Sequence, residues 1–132
     1  MNFAQYLQDW DLNEEASQQE IEAVNAHYGE RLPQDYLRFL RKHDGGEGSV
    51  GDNFLILWRI GELIRFNKEY EVSEYAPGIL LFGSDGGGEG YGFNTNEPGW
   101  PVVRLPFIGM APEYADEVAD SFENLILELS DE

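Results

Sequence analysis

Five of the eight residues from Gly83 to Gly90 are glycine, and the segments on both sides are apolar. Ile79-Leu80-Leu81-Phe82 leads in; Tyr91 and Phe93, alternating with Gly92 and Asn94, lead out. A helix does not carry such a run, because each interior glycine costs about 1 kcal/mol relative to alanine. A hairpin does, since glycine supplies the positive φ of tight turns. Two neighbouring antiparallel strands therefore stand in the second half of the chain, and the other elements must pack against them.

Phe3, Tyr6, Leu7 and Trp10 fall at i, i+3, i+4, i+7, the stripe of a short amphipathic helix. Ser17-Gln18-Gln19-Glu20 is a capping box that opens a second helix. Ile21, Val24 and Tyr28 form its inner face, and Gly29 ends it. Pro33 suits the start of a third, with Tyr36, Leu37, Phe39 and Leu40 inward and Arg38, Arg41 and Lys42 outward. Asp44-Gly45-Gly46 stops it. The continuous run Phe54-Leu55-Ile56-Leu57-Trp58 reads as a buried strand. Helical spacing returns at Ile60, Leu63, Ile64 and Asn67. Asn96-Glu97-Pro98-Gly99 is a turn, and Val102-Val103-Arg104-Leu105 is another strand. Val118, Phe122, Leu125, Ile126 and Leu129 predict a closing helix. Helices, then clustered strands, then a helix is an α+β order. At 132 residues, 42% of them hydrophobic, the chain suits one folded domain over 1–132.

Charge narrows the function. Lys and Arg number 8 against 26 Asp and Glu, a net charge of −18. Such a surface repels phosphate backbones and anionic lipid heads and attracts basic proteins. Nucleic acid and membrane are therefore not expected as partners. With no cysteine there are no disulfides, thiolate ligands or thiol nucleophiles. No apolar stretch approaches 18 residues and no basic leader precedes one, so the chain is expected in the cytosol. His27 and His43 have no third ligand at helical spacing, which leaves no zinc motif. Ser84 in Gly83-Ser84-Asp85-Gly86 breaks the spacing of a nucleophile elbow. The glycine segment lacks a phosphate-loop lysine and carries Asp85 and Glu89, which repel phosphate. These two acids lack calcium-loop spacing, as do Asp44, Glu47 and Asp52 in the similar segment around Gly45, Gly46, Gly48 and Gly51. No catalytic, cofactor or metal site is expected. A carboxylate-dependent hydrolase remains as an alternative class, because so many acids always offer pairs.

The order of motifs carries more than any one of them. Leu32-Pro33-x-Asp35-Tyr36-x-x-Phe39-Leu40, Gly45-Gly46 and Leu57-Trp58-x-Ile60 precede a helix with Asn67 and Tyr70. Tyr75-x-Pro77-Gly78-x-Leu80-x-Phe82-Gly83-x-Asp85-Gly86-Gly87-Gly88 follows, and Ala119-x-Ser121-Phe122-x-x-Leu125-Ile126 closes the chain. This series resembles the SUKH superfamily, whose members include bacterial toxin-immunity proteins and the yeast regulator of cell-wall glucan synthesis. The resemblance spans about Ile21 to Leu127 and leaves residues 1–16 as a possible helical extension. It implies a mixed, largely antiparallel sheet flanked by N-terminal helices and a C-terminal helix, without enzymatic activity. It also implies a protein partner: a cognate toxin domain, frequently a nuclease, or host proteins if the chain is a regulator like the yeast member.

The two acidic, glycine-rich segments are the expected binding centre: Asp44, Glu47, Asp52, Asp85 and Glu89, with Tyr91 and Trp100 as aromatic anchors. Phe54, Trp58 and Phe93 are assigned to the core. Glu113, Asp116, Glu117, Asp120, Glu123, Glu128, Asp131 and Glu132 read as the outer side of the closing helix, where they would steer a basic partner.

Overall fold

A computed structural model of the chain describes Leu7 and residues 9–131. Seven strands follow one another across a single sheet in chain order: β1 (Asp11–Leu12), β2 (Gly46–Val50), β3 (Asn53–Leu57), β4 (Ile79–Ser84), β5 (Glu89–Asn94), β6 (Val102–Pro106) and β7 (Asp116–Ala119). Each of the six pairings is antiparallel, so the mixed component implied by the resemblance is not present among them. Helices α1 (Gln18–His27) and α2 (Gln34–Lys42) join β1 to β2. A 3-10 turn (Ile60–Glu62), α3 (Leu63–Glu69) and α4 (Val72–Tyr75) join β3 to β4, and α5 (Phe122–Ser130) ends the chain. The fold is α+β, with helices flanking the sheet at both ends of the sequence.

Local chemistry sets the helix ends. Ser17 Oγ accepts from the Glu20 N–H at 3.0 Å, and Ser121 Oγ accepts from the Asn124 N–H at 3.1 Å. Asp35, on the first turn of α2, reaches across to accept from the Glu123 N–H at 3.0 Å, while Arg38 pairs with the Glu123 carboxylate at 3.1 Å. These contacts lock α2 to α5. Below them Tyr36 meets Phe82, Phe93 and Phe122 at ring distances of 5.6, 5.3 and 5.2 Å, the centre of the core.

Asn67 repairs the sheet where β3 leaves it. Its side-chain amide accepts from the Leu81 N–H at 2.8 Å and donates to the Leu81 carbonyl at 2.9 Å. A strand neighbour would make the same pair of bonds, so α3 replaces the missing β3 residues along β4.

Two expectations change. Residues 46–50 are a strand and not a loop, and the reason lies in what surrounds their glycines. A Cβ at Gly48 would stand 2.5 Å from Trp10 Cδ1, and one at Gly46 would stand 2.7 Å from the Asp11 carbonyl. Strand β2 is glycine-rich because β1 and the Trp10 ring press on it, and Trp10 Nε1 donates to the Ser49 carbonyl at 2.9 Å. Val118 belongs to β7, not to the closing helix, so Asp116 and Glu117 lie on an edge strand. Charged residues there discourage edge-to-edge pairing. Of the N-terminal stripe, Leu7 and Trp10 are buried, whereas Phe3 and Tyr6 lie outside the described residues.

Candidate protein-binding surface

Side chains directly opposite in antiparallel strands share a face of the sheet. One row runs Gly46, Leu57, Gly83, Tyr91, Arg104 and Asp116. Phe93, two residues from Tyr91, points the same way and packs on Tyr36 of α2, so this is the face the long helices cover. The adjacent row runs Asp11, Glu47, Ile56, Ser84, Gly90 and Leu105, on the opposite face.

These rows sort the seven residues expected at the binding centre. Tyr91 is 1% exposed and Trp100 6%, so neither ring is available as an anchor at the surface. Tyr91 falls on the covered face; Trp100 lies near Phe93, with the Arg31 guanidinium 5.4 Å above its ring. Asp44 is buried as well. Its Oδ1 accepts from the Ile60 N–H at 2.7 Å, its N–H donates to the Glu14 carbonyl, and its own carbonyl accepts from Asn13 Nδ2. That carboxylate holds the 3-10 turn before α3. Glu47 and Asp52 are exposed, on β2 and in the β2–β3 turn; Asp85 and Glu89 are half-exposed in the β4–β5 hairpin. Asp85 Oδ1 accepts from the Gly87 and Glu89 N–H groups at 2.8 and 3.2 Å, closing its own turn. Among the described residues no three His, Asp or Glu side chains come together as a metal site. An open hollow of about 550 Å³ is lined by Leu12, Asn13, Glu14, Glu15, Lys42 and His43. His43 Nδ1 lies 3.1 Å from the Asn13 carbonyl there.

The opposite face carries the aromatic groups that reach solvent. Phe54 is 40% exposed, contrary to its assignment to the core, and its ring lies over Gly86 of the hairpin, where a Cβ would stand 3.0 Å from Cδ2. Ile56, half-exposed, shares that face. Beyond Ser84 and Gly90 the row is continued by Phe107, whose ring occupies the space a Gly90 side chain would take. Phe107 stacks on Tyr70 at 4.6 Å, Tyr70 stacks on Trp58 at 6.1 Å, and Tyr70 is 42% exposed. Ile108, next in the chain, is 94% exposed. Phe107 and Ile108 did not stand out in the sequence, although an apolar pair beside Gly109 in a turn is the signal that marks them.

The sequence pattern of the SMI1 / KNR4 family (SUKH-1) matches residues 15–128. The chain belongs to this family. No curated protein matches it. Within this SUKH-1 chain the residues that carry the resemblance are largely those that hold the fold: Asp35 and Tyr36 between α2 and α5, Asn67 along β4, and Gly83, where a side chain would overlap the Ile56 carbonyl. Phe54, Ile56, Phe107 and Ile108 stand outside those motifs.

Proposed function

We propose that this SUKH-1 chain is a non-catalytic binding protein of the immunity type, and that it neutralises a cognate bacterial toxin domain. The observation that carries the reading is the charge. Eighteen net negative charges over 7242 Å² of surface amount to roughly one per 400 Å². A nuclease that grips phosphates is basic, and an acidic protein competes for the same surface with a steered on-rate. Family membership supports a protein partner in immunity or regulation. The hydrolase alternative is not favoured, because the Asp44 carboxylate accepts from the Ile60 N–H of the 3-10 turn and the Asp85 carboxylate from the Gly87 N–H of its own hairpin. Among the described residues no helix is long and apolar enough to cross a membrane.

Co-expression with any toxin domain encoded beside this gene tests the proposal. Growth should be restored, and the purified pair should form a complex in which toxin activity is lost at one-to-one stoichiometry. A neighbouring domain that is neither bound nor inhibited would reject the immunity role, and a host protein recovered at stoichiometric yield in its place would favour the regulatory one.

A further inference from the structure

We infer that the binding centre of this protein is the apolar strip of Phe54, Ile56, Phe107, Ile108 and Tyr70 on the face of the sheet opposite α2 and α5, and that its occupant is a basic surface of a folded partner protein. The inference rests on the immunity reading for the identity of the partner and on the geometry for its location.

Strand β3 lies beside β2 and shows the same face to solvent. There β2 places Glu47 and Ser49, as an antiparallel strand with one wet face should. Opposite them β3 places Ile56 and Phe54. These two groups are more exposed than Leu55 and Leu57, which are buried on the other side. The strip is continuous. Ile56, Ser84 and Gly90 are successive cross-strand neighbours, Phe107 lies over Gly90, and Tyr70 stacks on Phe107. Ser84 and Gly90, both buried, place no bulky side chain between Ile56 and Phe107. Ile108 stands out beside it as the most exposed large apolar residue described. A contiguous apolar patch inside a polar surround is the anatomy of a protein interface.

Charge selects the occupant. Asp11 and Glu47 extend the strip on the β1 side, and Asp85 and Glu89 border it at the hairpin. A second copy of this chain would bring a like-charged rim against this one, and anionic lipid would meet the same repulsion. A basic protein face with its own apolar centre matches both the strip and its rim.

The first arm of the test measures binding kinetics with a catalytically inactive form of any toxin domain encoded beside this gene. Ile108→Ser and Phe54→Ser should each weaken binding about 30-fold, mainly through the off-rate, while Gln19→Ala on the exposed side of α1 should leave it unchanged. Equal binding by all three variants would overturn the location and leave the immunity role standing. The second arm needs no known partner. Benzoylphenylalanine is placed at position 54, 108 or 19 in living cells, and adducts are identified by mass spectrometry. Adducts from 54 and 108 to a protein with a basic surface, absent from 19, support the inference even if the neighbouring domain fails to bind. No adduct from 54 or 108, or adducts only to a second copy of the chain or to an acidic protein, would overturn it.

Discussion

The two faces of this sheet carry similar side chains for opposite reasons. On the helix-covered face Tyr91 is buried and Phe93 completes a core of interlocked rings with Tyr36 and Phe122; on the other, Phe54 and Phe107 lie over glycines and are partly exposed. Residue type does not distinguish the two sets. Strand parity does, because a one-residue step moves a side chain from one face to the other. The difference teaches that burial must be read along the row of cross-strand neighbours and not from the neighbours in sequence.

The sharpest way to break this comparison is to remove one ring from each face. Tyr91→Ala should cost about 3–5 kcal/mol of unfolding free energy, as large cavities in closed cores do, whereas Phe54→Ala should cost only about 1 kcal/mol. Urea denaturation of the two variants gives the ratio. Equal losses would mean that Phe54 is core and that this part of the opposite face is not open.

A smaller effect is expected at Gly48, on the covered face. An added methyl group meets the Trp10 ring, which is tied to the Ser49 carbonyl, so Gly48→Ala should destabilise by about 1–3 kcal/mol. A double-mutant cycle with Trp10→Phe should be clearly non-additive. This pair also marks the limit of what was legible. Hydrophobic spacing, caps and turns located α1, α2, α5, β3, β4, β5 and β6, because those elements obey their own periodicity. Strand β2 was hidden, since its glycines answer to contacts with Trp10 and Asp11, thirty-five and more residues away in the chain. Strand β7 was hidden because Asp116 and Glu117 are edge residues with no inner face to signal. At the candidate site, Glu47, Asp52, Asp85 and Glu89 remained accessible where the sequence suggested. The anchors did not: a short apolar run shows how much is buried, not which alternate residues are.

Tyr36 offers a subtler probe of the covered face. Among the described buried side chains its hydroxyl is the polar group without a hydrogen-bond partner. Burial, with smaller contributions from Asp44 and Tyr28, pushes its pKa far above the ordinary 10.0. Tyr36→Phe should therefore be neutral or stabilising by about 1 kcal/mol, since it removes an unsatisfied group without leaving a cavity. The fold holds the neutral phenol, so this contribution is full below pH 10 and is lost as pH rises beyond it. Alkaline titrations of stability should fall more steeply for the wild type than for the Phe variant. A variant that unfolds with the same alkaline slope would show that Tyr36 is not held in an unsatisfied, closed site.

The smallest expected change in stability lies at the far end of the comparison. Ile108→Ser should leave the unfolding free energy within about 0.5 kcal/mol, because its side chain is already in water. A loss of 2 kcal/mol would place Ile108 inside the fold and remove it from the strip.

Hydroxyl-radical footprinting of the free chain and of its complex with the proposed toxin partner, in inactive form, tests the central claim most directly, since it reads exposure side chain by side chain. In the free protein Phe54, Tyr70, Phe107 and Ile108 should be oxidised while Tyr91, Phe93 and Trp100 stay unmodified; in the complex the first group should become protected and half-buried Tyr28, just after α1, should not change. Rapid oxidation of Tyr91 and Trp100 in the free protein, or a complex that protects α1 and leaves the strip as reactive as before, would contradict the account.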